Sequence, residues 1–205
     1  MTFWDAVAPL YDTFECLNKA YRQMVNKVRA IVPNGVNVLE LASGTGTISV
    51  AVSGKAARVL CSDISENMLQ AAKRKAKKHN AENINFEKIS IFETRIQDKA
   101  FDVVIASQIL HLLEDSQKAC EEIRRISKRM AIISIPLLKE STVWGRFLIG
   151  IYKLLGFRPK HDFDRDSCKD FLEKMGFHDC EYDTISGTVS LCIAVWRCNE
   201  GKRRY

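Results

Sequence analysis

The sequence predicts an α/β fold: a doubly wound, seven-stranded, mostly parallel sheet whose last strand is reversed. Three observations carry this. Short β-branched runs alternate with helical patterns from residue 34 onward. Runs such as Val103-Val104-Ile105 and Ile132-Ile133 are apolar without interruption, as in strands buried on both faces, so helices must cover both sides of the sheet. Near the end of the chain only Gly187-Thr188 separates two strand-like runs, too few residues for a parallel crossover, so these two pair as an antiparallel hairpin at the sheet edge.

Taken in order, apolar spacing predicts one or two amphipathic helices over residues 3 to 32, stopped by Pro33-Asn34-Gly35. Val36 to Ala42 reads as the first strand, followed by a helix closing at Gly54. Ala57 to Ser62 is the second strand, and Ser65 is placed to cap a long helix running to His79. Asn83 to Ile89 and Ala100 to Ser107 are the third and fourth strands. A helix over Ser116 to Ser127 leads into the strand Met130 to Ile135. After a helix from Asp166 to Met175 come the hairpin strands His178 to Ser186 and Val189 to Arg197. The layout is a single domain: an N-terminal helical cover (1–33), a ligand-binding core (34–135), a cover over a second site (136–165), and a C-terminal helix with the hairpin (166–197).

The totals exclude several classes. With 46% hydrophobic and 27% charged residues over 205, the chain has the composition of a globular domain. Val143 to Leu155 is too short to span a membrane and is interrupted by Arg146, Gly150 and Lys153. The opening MTFWDAVAPLYD has acids where a signal peptide needs bases, so a cytoplasmic location is expected. The seven cysteines, 16, 61, 120, 168, 180, 192 and 198, contain no C-x-x-C pair and read as reduced thiols; a soft-metal site from Cys168, Cys180 and Cys192 matches no zinc spacing, so no metal is expected. The net charge of +6 gathers in Lys73 to Lys78, Arg124 to Arg129 and Lys202-Arg203-Arg204, without the interleaved aromatics of a base-stacking surface. These runs read as solvated helix faces and a tail, and no specific nucleic-acid partner is expected.

Chemistry is concentrated after the first strand. In Val38-Leu39-Glu40-Leu41-Ala42-Ser43-Gly44-Thr45-Gly46, two glycines allow close backbone approach to a ligand at a strand-to-helix turn. Asp63 ends the second strand, where a carboxylate can take both hydroxyls of a ribose. That alone suits NAD equally. Glu40, however, would repel a pyrophosphate, and Ser49 stands where a third glycine would be. A ligand with a ribose, no phosphate and positive charge fits better, and S-adenosylmethionine, with its ammonium and sulfonium, meets all three demands.

The run VLELASGTG resembles the first motif of class I S-adenosylmethionine-dependent methyltransferases, which have a Rossmann-like fold. CSDISENML (61–69) resembles their second motif and AFDVVIASQILHLLED (100–115) their fourth-strand motif; the likeness covers roughly residues 34 to 197. The opening WDAVAPLYD is similar to the ubiquinone/menaquinone C-methyltransferase branch. The resemblance implies an enzyme whose cofactor site uses Tyr11, Glu40, Ala42, Ser43, Gly44, Gly46, Asp63, Ile64, Met68, Ser90, Ile91 and Ser107. Tyr11 would help close the pocket, Asp63 would hold the ribose, and Ile64 and Met68 would pack on the adenine. Two departures stand out. Ala42 replaces a usual glycine, which requires its φ to be negative. Ile89-Ser90-Ile91 replaces Gly-Asp-Ala, leaving a serine hydroxyl where an acid usually meets the adenine amino group.

Methyl transfer is an in-line displacement from a cationic sulfur, so orientation and exclusion of water supply much of the rate, orientation alone about 7–11 kcal/mol. A base is needed only where the acceptor atom must lose a proton, and His111, just after the fourth strand, is the candidate. Without an N-P-P-[YF] or D-P-P-Y tetrapeptide or a Pro-Cys nucleophile, a small, apolar or lipid-like acceptor is favoured. The rival expectations are a non-catalytic cofactor-binding subunit and a nucleic-acid methyltransferase. Residues 142 to 156 carry Trp144, Phe147, Leu148, Ile151, Tyr152 and Leu155 at helical spacing, which predicts a mobile cover over the acceptor pocket, with Gly145 and Gly150 loosening it, and a peripheral membrane contact.

Overall fold

Asn18 caps the first described helix, its Oδ1 accepting a hydrogen bond from the Tyr21 amide at 3.2 Å. The computed structural model describes residues 18–154 and 156–198, and helices are numbered over those residues. Helix α1 (Lys19–Ile31) buries Met24, Val25 and Val28, one stripe at helical spacing, and stops at Val32 because Pro33 disfavours a helical conformation for the residue before it. The order continues β1 (Asn37–Leu41), α2 (Thr47–Ser53), β2 (Arg58–Asp63), α3 (Glu66–Lys78), β3 (Ile84–Lys88) and β4 (Phe101–Ser107). It closes with α4 (Ser116–Ile126), β5 (Ser127–Leu137), α5 (Val143–Leu154), α6 (Arg165–Lys174), β6 (Glu181–Ile185) and β7 (Ser190–Arg197).

Local signals account for the element ends. Ser65 caps α3, its Oγ accepting from Met68 N at 3.3 Å. Asp115 caps α4 through Lys118 N at 3.0 Å. Asp164 and Ser167 form a capping box at the start of α6. The last turn of α3 carries Lys75, Lys77 and Lys78, cations that the negative end of the helix dipole favours.

The seven strands run in the order β3-β2-β1-β4-β5-β7-β6. All pairs are parallel except those of β7, which runs antiparallel to both β5 and β6. The hairpin sits at the sheet edge as expected, and the reversed strand lies one place in from it. β5 is longer than the apolar run alone implied, because Ser127 already pairs with Phe101 across an irregularity in register.

Alternation along each strand divides the core. Val38, Val103, Ile105 and Ile132 face α1, α2 and α3, while Leu39, Val104, Ala131 and Ile133 face α4 and α6. β1 and β4 are neighbours, and the chain leaves them in opposite directions across the sheet. Their carboxyl ends therefore open a crevice, the place where such sheets bind ligands.

Half of the second basic run is absorbed by the fold, and Lys128 and Arg129 stay exposed. Arg125 donates to Asp98 Oδ1 at 2.6 Å, Glu122 Oε1 at 2.7 Å and the Ile96 carbonyl at 2.7 Å. This pairing holds the Glu122 carboxyl down at about 2, chiefly through the Arg125 hydrogen bond. Arg124 lies over the Phe177 ring, 5.9 Å from its centroid. The cysteine trio 168, 180 and 192 does gather, between α6 and the hairpin, with the Cys168 and Cys192 thiols hydrogen-bonded. All three are free thiols, and among the described residues no group of three or more His, Cys, Asp or Glu is arranged to hold a metal ion.

Candidate active site

The crevice is organised by two buried carboxylates, one on each side of the glycine loop. Glu40 lies in β1, and its Oε2 accepts from Ser49 N at 2.8 Å and Ser49 Oγ at 2.5 Å. The first turn of α2 is thereby fastened to the strand. Asp63, at the end of β2, accepts from Gly44 N at 2.8 Å through one oxygen and from Ser65 N at 2.9 Å through the other. It thus joins the glycine loop to the cap of α3.

Backbone geometry explains the glycines. Gly44 and Gly46 have φ of 54° and 73°, the left-handed region. Gly46 is also closely approached: a Cβ there would lie 2.8 Å from Ala72 Cβ and 3.3 Å from Cys61 Sγ. Ser43 donates N–H to the Ser62 carbonyl at 2.9 Å, and its Oγ accepts from Cys61 Sγ at 3.1 Å. Burial, then the Glu40 charge, push the Cys61 thiol up to about 12, so it stays protonated.

Ala42 corrects an expectation. Its φ is 51°, not negative, so the alanine occupies a glycine conformation at a cost of about 1–2 kcal/mol. Part of that is recoverable: Ala42→Gly is expected to stabilise the protein by about 0.5–1 kcal/mol, the relieved strain exceeding the entropy that glycine adds to the unfolded chain. Denaturant unfolding measures this directly, and a lower midpoint in the variant would contradict the backbone assignment.

The remaining predicted residues divide into two groups. Ile64 is 62% exposed beside Asp63, an apolar surface that a planar ring could cover, whereas Met68 is buried in the first turn of α3. The Ser90 hydroxyl accepts from Phe92 N at 3.3 Å, and Ile91 packs into the core on the α4 side. At the end of β4, Ser107 Oγ is 2.7 Å from Ser134 Oγ and 3.8 Å from Met24 Sδ. Thus α1 reaches the mouth of the crevice. Tyr11 and the rest of WDAVAPLYD lie outside the described residues.

His111 sits in a 3-10 turn, Leu110–Leu112, and is 3% exposed. Its carbonyl accepts from Lys160 N at 2.9 Å and His161 N at 3.2 Å, so the segment after α5 folds across it. Its ring lies 5.9 Å from that of Phe157. Burial, then the charge of His161, lower its basicity to about 3, so the imidazole is neutral near pH 7. Among the described residues its Nδ1 has no hydrogen-bond partner. A buried polar atom left in that state costs about 1–3 kcal/mol, which a purely structural histidine avoids by binding backbone.

Three contributors escaped the sequence. Lys75 donates to Thr45 Oγ1 at 2.9 Å and Thr47 Oγ1 at 2.6 Å, bracing the glycine loop from α3. It belonged to a run read as solvated, although it falls seven residues after Met68 on the buried stripe of that helix. Ser49 was noted only for not being glycine. Gln108 follows β4 with φ of 57° and donates Nε2–H to Ser134 Oγ at 3.1 Å.

Known proteins resemble this chain. A family model for a methyltransferase domain matches residues 33–144. Demethylmenaquinone methyltransferase of Leptospira interrogans is 28% identical over 223 residues, covering 93% of this chain and 90% of that protein. Its counterpart in Clavibacter sepedonicus is 30% identical over 129 residues, 61% of this chain and 52% of that protein, so the chain spans about half the length of this relative. Magnesium protoporphyrin IX methyltransferase of Synechocystis, solved with bound SAH, shares the fold with a TM-score of 0.67 at 22% identity, covering 87% of this chain and 84% of that one.

Proposed function

From the premise that this chain belongs to the methyltransferase-domain family, as an S-adenosylmethionine-dependent enzyme, we propose that it methylates a small, apolar, lipid-like acceptor of the quinone-precursor type. The observation that carries the cofactor site is Asp63, whose two oxygens tie the glycine loop to the α3 cap at the end of β2, where a carboxylate can meet a ribose. The lipid-like acceptor is supported by the likeness to demethylmenaquinone methyltransferases and by the Phe157 ring beside His111.

The residues present suit this cofactor. Glu40 and Asp63 place negative charge beside the loop, where a cationic ligand gains and a pyrophosphate would be repelled. Glu40, Ala42, Ser43, Gly44, Gly46, Asp63, Ile64, Met68, Ser90, Ile91 and Ser107 would hold it. When bound, the cofactor supplies an electrophilic methyl group on a cationic sulfur. The chain's part is to align the acceptor and keep water out. The domain layout follows: within residues 136–165 the acceptor-side cover is the segment after α5, and the Lys160–His161 amides bonded to the His111 carbonyl anchor it. We propose His111 as the group that receives a proton where the reaction releases one; burial, which lowers its basicity to about 3, makes it a weak base until acceptor binding changes its surroundings.

The experiment is incubation of the purified protein with methyl-labelled cofactor and a cell extract. Label is expected in the solvent-extractable lipid fraction. Label in RNA or DNA, surviving physiological salt, would overturn the small-molecule reading, and the engagement of Arg125 by Asp98 and Glu122 argues against that outcome. With the labelled product in hand, His111→Ala is expected to lower kcat by about a hundredfold or more while sparing cofactor affinity. Equal loss of both would make His111 structural.

A further inference from the structure

Helix α5 is apolar, yet the fold leaves most of it in water. Val143 is 79% exposed and Leu154 88%, with Trp144, Phe147 and Ile151 also exposed. The first turn is seated on the body. Thr142 N–H donates to the Thr188 carbonyl at 3.0 Å, and Gly145 passes so close to the hairpin turn that a Cβ would meet the same oxygen at 2.1 Å. Gly145 is therefore required by close approach rather than by mobility, which corrects the reason for it read from the sequence. Gly150, in contrast, faces open space.

The exposed side chains form one surface. At 100° per residue Val143, Trp144, Phe147, Ile151 and Leu154 occupy one arc of the helix, with half-buried Leu148 at its edge. Trp144 and Phe147 stack on it with ring centroids 5.2 Å apart. Arg146 and Lys153 are seven residues apart, on the same flank of the arc, and neither makes an ion pair among the described residues. The helix contains no acid. No described helix is long and apolar enough to cross a membrane.

We infer that the apolar face of α5 docks this protein on an anionic lipid surface, lying in the interface plane with Arg146 and Lys153 toward the headgroups. Aromatic and aliphatic side chains on one arc with bases along its edge are what an interfacial helix requires. The charge selects this occupant. A second copy of a chain with net charge +6 would bring the same bases against like charge, whereas an anionic leaflet attracts them. Docking does not depend on which acceptor is methylated, because it is read without turnover.

The test uses the full chain and vesicles of phosphatidylcholine with or without about one third phosphatidylglycerol, enough to set an attractive surface potential. Expected are co-sedimentation with the anionic vesicles, weakening as salt rises, and a blue shift of tryptophan emission that Trp144→Phe removes. Phe147→Glu and Leu154→Glu should each weaken vesicle binding by about tenfold or more, with cofactor affinity and thermal midpoint unchanged. The inference is overturned by absence of vesicle binding, by binding that both glutamate variants retain in full, or by a dimer in solution that Phe147→Glu dissociates. Lipid-extract methylation would fail or succeed independently of all three.

Discussion

Asp63→Ala is expected to lower affinity for S-adenosylmethionine by about a hundredfold or more, because it removes two charge-assisted hydrogen bonds to the ligand, each worth about 1.5–3 kcal/mol. The structure adds a second consequence. The Gly44 and Ser65 amides, which donate to this carboxylate at 2.8 and 2.9 Å, would lose their acceptor. The glycine loop and the α3 cap would then be released from one another, so the variant should also unfold at lower denaturant. Asp63→Asn separates the two effects. Its amide oxygen can still accept one of the backbone bonds, so it should recover much of the stability while remaining poor at binding. Calorimetry with the cofactor and with its demethylated product reads the affinity. Unchanged affinity in Asp63→Ala would remove the ribose assignment.

Gly46→Ala is expected to cost about 2–5 kcal/mol of stability, from about 1–2 for a left-handed alanine and about 1–3 for overpacking. The neighbour that must move is Ala72 Cβ, 2.8 Å from the new atom, and it belongs to the buried stripe of α3 rather than to a flexible side chain. Displacing α3 would also pull Lys75 from Thr45 and Thr47, so the loop loses its brace along with its shape. Urea unfolding checks the magnitude. A loss under 1 kcal/mol would show that α3 yields at little cost, and that the close approach is not what specifies glycine here.

Local physics made the elements and the cofactor class readable from the sequence alone. Ser65 sits before a 3.6-residue stripe, β-branched runs alternate with helices, and Gly187-Thr188 leaves room only for a hairpin; each signal acts within a few residues, and each matches an observed element. Glu40, the glycine loop and Asp63 could be weighed together because they lie at the ends of adjacent strands whose order the fold class dictates. What the tertiary structure alone decided rests on contacts between residues far apart in the chain. Lys75 reaches Thr45 across thirty positions, so the helical stripe it falls on does not reveal which loop it braces. Ala42 has φ of 51° because the whole loop imposes it, against the residue's own preference. His111 is closed over by the chain fifty positions later, which buries it and keeps its imidazole neutral. The periodicity of α5 defines an apolar arc but not whether anything packs on it, and only the placement of Gly145 against Thr188 leaves that arc in water.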